Sequence, residues 1–142
     1  MELLIVNGPN LNLVGTRNTE VYGVKSFEKY LQELNLDDVN ISYVQSNNEG
    51  DLIDALHNFK GEGIILNAGG YTHTSVALRD AVEAISIPVV EVHISNIAGR
   101  ESFRHESLIS PVAIGCIFGF GLTAYQLAID YFKLKVEFEG RI

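Results

Sequence analysis

Five short apolar runs, each followed by a stretch of helical period, constrain this chain more than any other feature. The runs are Leu3–Asn7, Asn40–Gln45, Gly63–Asn67, Val89–His93 and Ala113–Phe118. Each is short and bounded by turn residues, so each predicts a strand, and Ile64-Ile65-Leu66 reads as a buried one. Between them, apolar residues recur on one helical face: Phe27, Leu31 and Leu34; Leu52, Ile53, Leu56 and Phe59; then Leu78, Ala81, Val82 and Ile85, closing just before Pro88. A last face carries Leu122, Tyr125, Ile129 and Phe132. Strands that alternate with helices require a parallel sheet with right-handed crossovers. No repeat, linker or low-complexity run interrupts the pattern.

The strand ends are polar. Leu3–Val6 runs into Asn7-Gly8-Pro9-Asn10, Ile64–Leu66 into Asn67-Ala68-Gly69-Gly70-Tyr71-Thr72-His73-Thr74-Ser75, and Val89–Val92 into His93-Ile94-Ser95-Asn96. Ligands of open α/β sheets bind beyond the carboxyl ends of strands, so these three ends predict a polar pocket above an apolar sheet. A length of 142 residues suits one domain. The expected architecture is a single flavodoxin-like, doubly wound α/β domain over residues 1–142, with strand order 2-1-3-4-5.

Charge narrows the partners. The net charge of −8 disfavours nucleic acid and anionic membranes. The run Val112–Phe120 is far shorter than the ~20 residues that span a bilayer. Met1-Glu2-Leu3-Leu4 lacks the basic start and cleavage site of a secretory signal, and the single Cys116 lies in an apolar strand, where it reads as a buried structural thiol. A cytoplasmic protein is expected. All five lysines fall in helical or terminal segments, whereas Arg17, Arg100 and Arg104 fall in or beside loops that follow strands. Arginine grips carboxylates in a planar fork, so the arrangement points to a small anionic ligand; surface ion pairing is the alternative.

Leu11–Gly23 has neither helical nor strand period and contains Gly15, Arg17, Tyr22 and Gly23. Long irregular loops in compact domains are usually functional or disordered, and this one leaves the first strand above the pocket. A closing lid that carries Arg17 and Tyr22 is the preferred reading over a passive loop. Arg100–Ser107 reads as a short extra helix. Gly119-Phe120-Gly121-Leu122-Thr123-Ala124 matches a dinucleotide fingerprint, but it stands at the end of the chain rather than in a first β-α turn; tight helix–sheet packing explains its glycines. The four histidines lack metal-ligand spacing, so no metal and no cofactor is expected.

Taken together, the segments closely resemble the type II 3-dehydroquinate dehydratases: Asn7 to Arg17, Tyr22-Gly23, Asn67 to Ser75 with Leu78-Arg79-Asp80, and Glu91 to Asn96 with Arg100 and Phe103-Arg104. The resemblance spans the chain and includes Ser110-Pro111 and the Gly119–Gly121 turn. It departs at Ile97-Ala98-Gly99, where relatives often carry a larger residue, which leaves lid closure or inhibitor contacts open to difference while the chemistry is expected to be untouched. It implies conversion of 3-dehydroquinate to 3-dehydroshikimate by loss of water, through an enolate and without a cofactor. It implies Tyr22 as the base, Arg17 as its activator in the lid, and Asn10 as a stabiliser of the enolate through an ordered water. It implies His93, oriented by Glu91, as the acid that protonates the departing hydroxyl. Asn67, the backbone N–H groups of Ile94 and Ser95, His73 and Arg104 would hold the substrate's carboxylate and hydroxyls. Arg100 would be a second arginine near the base. Asp80 would reach a neighbouring subunit's site in a dodecamer built of trimers.

The chemistry is coherent. A free tyrosine has a pKa of about 10, and adjacent arginines favour its phenolate. Histidine titrates near neutrality and suits proton donation. No lysine stands at a strand end, so an imine mechanism lacks a candidate. A flavodoxin-like module that binds a phosphate or flavin is the rival reading, but it leaves Tyr22 with Arg17, and Glu91 two residues before His93, unexplained.

Overall fold

The computed structural model describes residues 1–16 and 24–139, with side chains to residue 135. Strands β1 (Glu2–Asn7), β2 (Asn40–Gln45), β3 (Gly63–Asn67), β4 (Val89–His93) and β5 (Gly115–Phe118) form one sheet in the order β2-β1-β3-β4-β5. Every pairing is parallel. The helices are α1 (Phe27–Glu33), α2 (Glu49–Asn58), α3 (Val76–Ala84) and α4 (Thr123–Glu139).

Side chains alternate across a strand, and the alternation builds two apolar layers. Leu3, Ile5, Ile65, Val90 and Val92 face Phe27 of α1 and Tyr125, Ile129 and Phe132 of α4. Leu4, Val6, Ile64, Leu66 and Val89 face Leu52 and Leu56 of α2 and Leu78, Ala81 and Val82 of α3. Each such side chain, once fully buried, contributes roughly 1.5–3 kcal/mol. Ser26 and Ser75 cap α1 and α3, their hydroxyls accepting from the N–H groups of Lys29 and Leu78.

Three details differ from the sequence expectation. The last strand starts at Gly115 rather than Ala113, because Ser110–Val112 forms a 3-10 turn with Pro111 in its first positions. The extra helix expected over Arg100–Ser107 is a single 3-10 turn, Ser102–Arg104, preceded by another at Ile97–Gly99. Cys116 is exposed, not buried: β5 is an edge strand, paired on one side only. Partial burial still pushes its thiol pKa up.

The glycines between β5 and α4 have a local use. Gly119, Phe120 and Gly121 all have positive φ (90°, 66° and 62°). This conformation turns the chain so that the Gly119 N–H reaches the His93 carbonyl at 3.0 Å and the Gly121 N–H reaches the Ile94 carbonyl at 3.1 Å. Amides that a dinucleotide fingerprint would aim at a pyrophosphate are spent on the end of β4.

Candidate active site

The strand order reverses between β1 and β3, the switch point at which doubly wound sheets bind ligands. A cleft opens there, lined by Pro9, Asn10 and Leu11 after β1, by Asn67, Gly69, Gly70 and His73 at β3, and by His93, Ile94, Ser95, Arg100 and Arg104 at and beyond β4.

Gly8 and Asn67 fix the first two walls. The Gly8 N–H donates to the Asn67 carbonyl at 2.8 Å. A Cβ on Gly8 would stand 2.5 Å from the Ala68 carbonyl oxygen, so only glycine permits this approach. Asn10 follows with φ 70°, a left-handed conformation that asparagine tolerates. Its N–H donates to Asn47 Oδ1 at 3.1 Å, and Gln45 Nε2 donates to the same oxygen and to the Gly8 carbonyl. Asn10 is thus held by two residues from the end of β2 and the loop after it.

Glu91 and His93 share one face of β4 because they are two residues apart. Glu91 is 0% exposed and His93 5%. His93 Nε2 lies 2.9 Å from Glu91 Oε2. A carboxylate only accepts, so Nε2–H is the donor and Nδ1 is the nitrogen left for a ligand. Ser107 donates to Glu91 at 2.7 Å and Ser110 at 3.0 Å. A buried carboxylate needs such donors, since burial without them is costly. Ser107 also braces the loop that carries both serines: its hydroxyl accepts from the N–H groups of Ile109 and Ser110.

His73 stacks at 6.4 Å from His93 across the cleft, and its Nδ1–H donates to the Glu106 carbonyl at 2.7 Å. The Arg100 guanidinium donates to Ser95 Oγ at 3.3 Å, while His105 donates to the Arg100 carbonyl. Arg104 pairs with Glu101 and lies over the Phe103 ring at 5.0 Å. Two guanidiniums at the edge of a cleft furnished with amides and imidazoles suit a small anion rather than an apolar ligand. Among the described residues, no group of three or more His, Cys, Asp or Glu side chains could hold a metal ion.

The cleft therefore gathers Asn10, Asn67, His73, His93, Ile94, Ser95, Arg100 and Arg104, with Glu91 directly behind His93. Asp80 stands apart: it is exposed on α3 and ion-paired with Arg79 at 2.9 Å. Arg17, Tyr22 and the greater part of the expected lid lie outside the described residues. Sequence reasoning passed over Ser107, Ser110, Gln45 and Asn47, whose roles follow from contacts between distant segments. The Ser110-Pro111 step was the one available signal.

An α/β protein with a polar switch-point cleft for a small anion is the class that fold and site define. Residues 1–133 match the family model Dehydroquinase class II. A 3-dehydroquinate dehydratase of Exiguobacterium sp. is 59% identical over 133 residues, covering 91% of this chain and 92% of that protein. One of Prochlorococcus marinus is 51% identical, covering 92% and 94%. The crystal structure of a type II dehydroquinase from Butyrivibrio crossotus superposes with a TM-score of 0.85 at 41% identity, covering 92% of this chain and 96% of that one. The chain belongs to the class II dehydroquinase family.

Proposed function

We propose that this cleft performs the type II 3-dehydroquinate dehydratase reaction with the residues assigned below. The chain is a hydro-lyase: it removes a proton beside the ketone of 3-dehydroquinate, passes through an enolate and expels the hydroxyl as water, giving 3-dehydroshikimate. The observation that carries the assignment is the buried Glu91–His93 pair, 2.9 Å apart, opening into a cleft that also holds Asn10, Asn67 and Arg100.

Tyr22 takes the proton as phenolate, which Arg17 and Arg100 stabilise by their charge. The electron pair moves onto the ketone oxygen, where an ordered water held by Asn10 stabilises the oxyanion; a positioned donor there is often a large catalytic term. His93, with Nε2 tied to Glu91, gives the proton at Nδ1 to the leaving hydroxyl. The C–O bond breaks as the enolate re-forms the ketone, and the acid and base exchange protons with solvent. Asn67, His73, Arg104 and the N–H groups of Ile94 and Ser95 hold the carboxylate and remaining hydroxyls. Residues 11–23 close over the bound substrate and exclude water, which strengthens each of these interactions.

No helix among the described residues is long and apolar enough to cross a membrane. The enzyme works in the cytoplasm as a dodecamer built of trimers, with Asp80 fixing an arginine in a neighbour's site. The exposure of Asp80 and its helix's apolar face, already filled by Leu78, Ala81 and Val82, support that placement.

The test is a cofactor-free assay with 3-dehydroquinate that follows the conjugated enone by ultraviolet absorbance. Turnover is expected to survive chelators and borohydride. Substrate-dependent inactivation by borohydride would reveal an imine and overturn the mechanism.

A further inference from the structure

The cleft depends on a group that never touches it. Asn7 and Asn67 are register partners at the ends of β1 and β3, and both point toward α4. There they meet the hydroxyl of Tyr125, which is 0% exposed and walled in by the rings of Phe27 and Tyr30. Asn67 Nδ2 lies 2.9 Å from the Tyr125 oxygen, and that oxygen lies 2.7 Å from Asn7 Oδ1. Asn7 Nδ2 in turn reaches Tyr43 Oη at 3.3 Å.

The direction of this chain is fixed from one end. The backbone N–H of Gly69 reaches the Asn67 side chain at 3.2 Å. A backbone N–H can only donate, so the atom it meets is Oδ1 and the amide nitrogen must point at Tyr125. Tyr125 then accepts from Asn67, its single proton goes to Asn7 Oδ1, and Asn7 Nδ2 donates to Tyr43. Asn67 Oδ1 is occupied by Gly69, and one of its two N–H bonds by Tyr125. What Asn67 retains for the cleft is its second N–H.

We propose that Tyr125 is a positioning residue: its hydroxyl locks the Asn67 amide so that the cleft meets an N–H donor suited to the substrate's carboxylate or hydroxyls. The inference rests on the reading of Asn67 as a substrate-holding residue. Without the hydroxyl, nothing opposes rotation of the amide except the Gly69 bond, and a rotated amide presents a carbonyl oxygen that repels an anion. The group held lies away from the reacting bonds, so its loss weakens ground-state and transition-state binding alike and appears in KM.

Tyr125→Phe is therefore expected to raise KM about tenfold, the worth of one well-placed hydrogen bond, with kcat within about twofold. Tyr43→Phe removes a hydroxyl from the far end of the same chain and is expected to lower Tm while leaving KM unchanged. Asn67→Ala is measured alone and combined with Tyr125→Phe. In the Asn67→Ala background the second substitution should change KM less than about twofold, because neighbours that act as a unit are not additive.

A parental KM for Tyr125→Phe beside a raised KM for Asn67→Ala would overturn the positioning role, as would a tenfold effect that persists without Asn67. An unchanged KM for Asn67→Ala itself would instead overturn the underlying reading of Asn67. If Tyr125→Phe fails to fold, Asn7→Leu poses the same question by removing the acceptor that orients the hydroxyl. A raised KM is expected there, and a parental KM overturns the proposal.

Discussion

Replacing Glu91 by glutamine separates the catalytic work proposed for the buried carboxylate from its structural work. Glutamine keeps the shape but exchanges one oxygen for an NH2 group, which donates and cannot accept. Glu91 receives three donors: His93 Nε2 at 2.9 Å, Ser107 Oγ at 2.7 Å and Ser110 Oγ at 3.0 Å. Each hydrogen bond to a charged group contributes about 1.5–3 kcal/mol, and at least one of the three must be lost. Removing a buried charge recovers part of its desolvation cost, so the net loss of stability is expected to be ~1–3 kcal/mol. Catalysis loses more. An opposite charge about 4 Å away is worth roughly 4 kcal/mol at an effective dielectric constant near 20, and general acid catalysis contributes on the order of 10²–10⁴. A fall in kcat of about 10²–10³-fold follows, read from enone absorbance at neutral pH. Ser107→Ala is the control, since it removes a donor to Glu91 but leaves the charge beside His93; it should cost a similar stability with a far smaller loss of kcat. Turnover of Glu91→Gln within about threefold of the parent, beside an inactive His93→Gln, would refute the argument that His93 relies on its carboxylate.

Three further outcomes are expected. Tyr22→Phe and Arg17→Ala should each reduce kcat severely with little change in Tm, and their double variant should lose little more, because the proposed roles of base and activator make the two act as a unit; steady-state assays and calorimetry check both. Gly8→Ala places a Cβ 2.5 Å from the Ala68 carbonyl oxygen, so it should cost at least the ~1–3 kcal/mol of overpacking and lower activity by prying β1 from β3 beside Asn10, as urea melts and kinetics would show. Burial holds the Tyr125 phenol far above its ordinary pKa of 10.0. The folded state thus keeps a proton that the unfolded state releases, so this residue's contribution to stability is complete below that pH and declines as pH rises above it; Tyr125→Phe should flatten the alkaline fall in unfolding free energy.

Much of the molecule is written locally in the chain. Strand alternation assigns Leu3 and Ile5 to one layer and Leu4 and Val6 to the other, and helical period marks Leu78, Ala81 and Val82. Those periods reflect backbone geometry, which neighbouring residues impose on one another without tertiary help. The polar strand ends likewise announced the cleft, because a parallel sheet places them side by side. Other features depend on the meeting of distant segments. Tyr125 counted in the sequence only as an apolar position of the last helix; its oxygen joins asparagines 58 and 118 residues away. Beyond the Ser110-Pro111 step, Ser107 and Ser110 carry no local signal, yet they supply the donors that let Glu91 lie fully buried. Cys116 sits in an apolar strand but is exposed, since its burial depends on what covers the sheet's edge rather than on its neighbours in sequence. Hydrophobic period is a property of adjacent residues, whereas satisfying a buried polar atom requires a partner at one point in space, and only the folded chain brings that partner there.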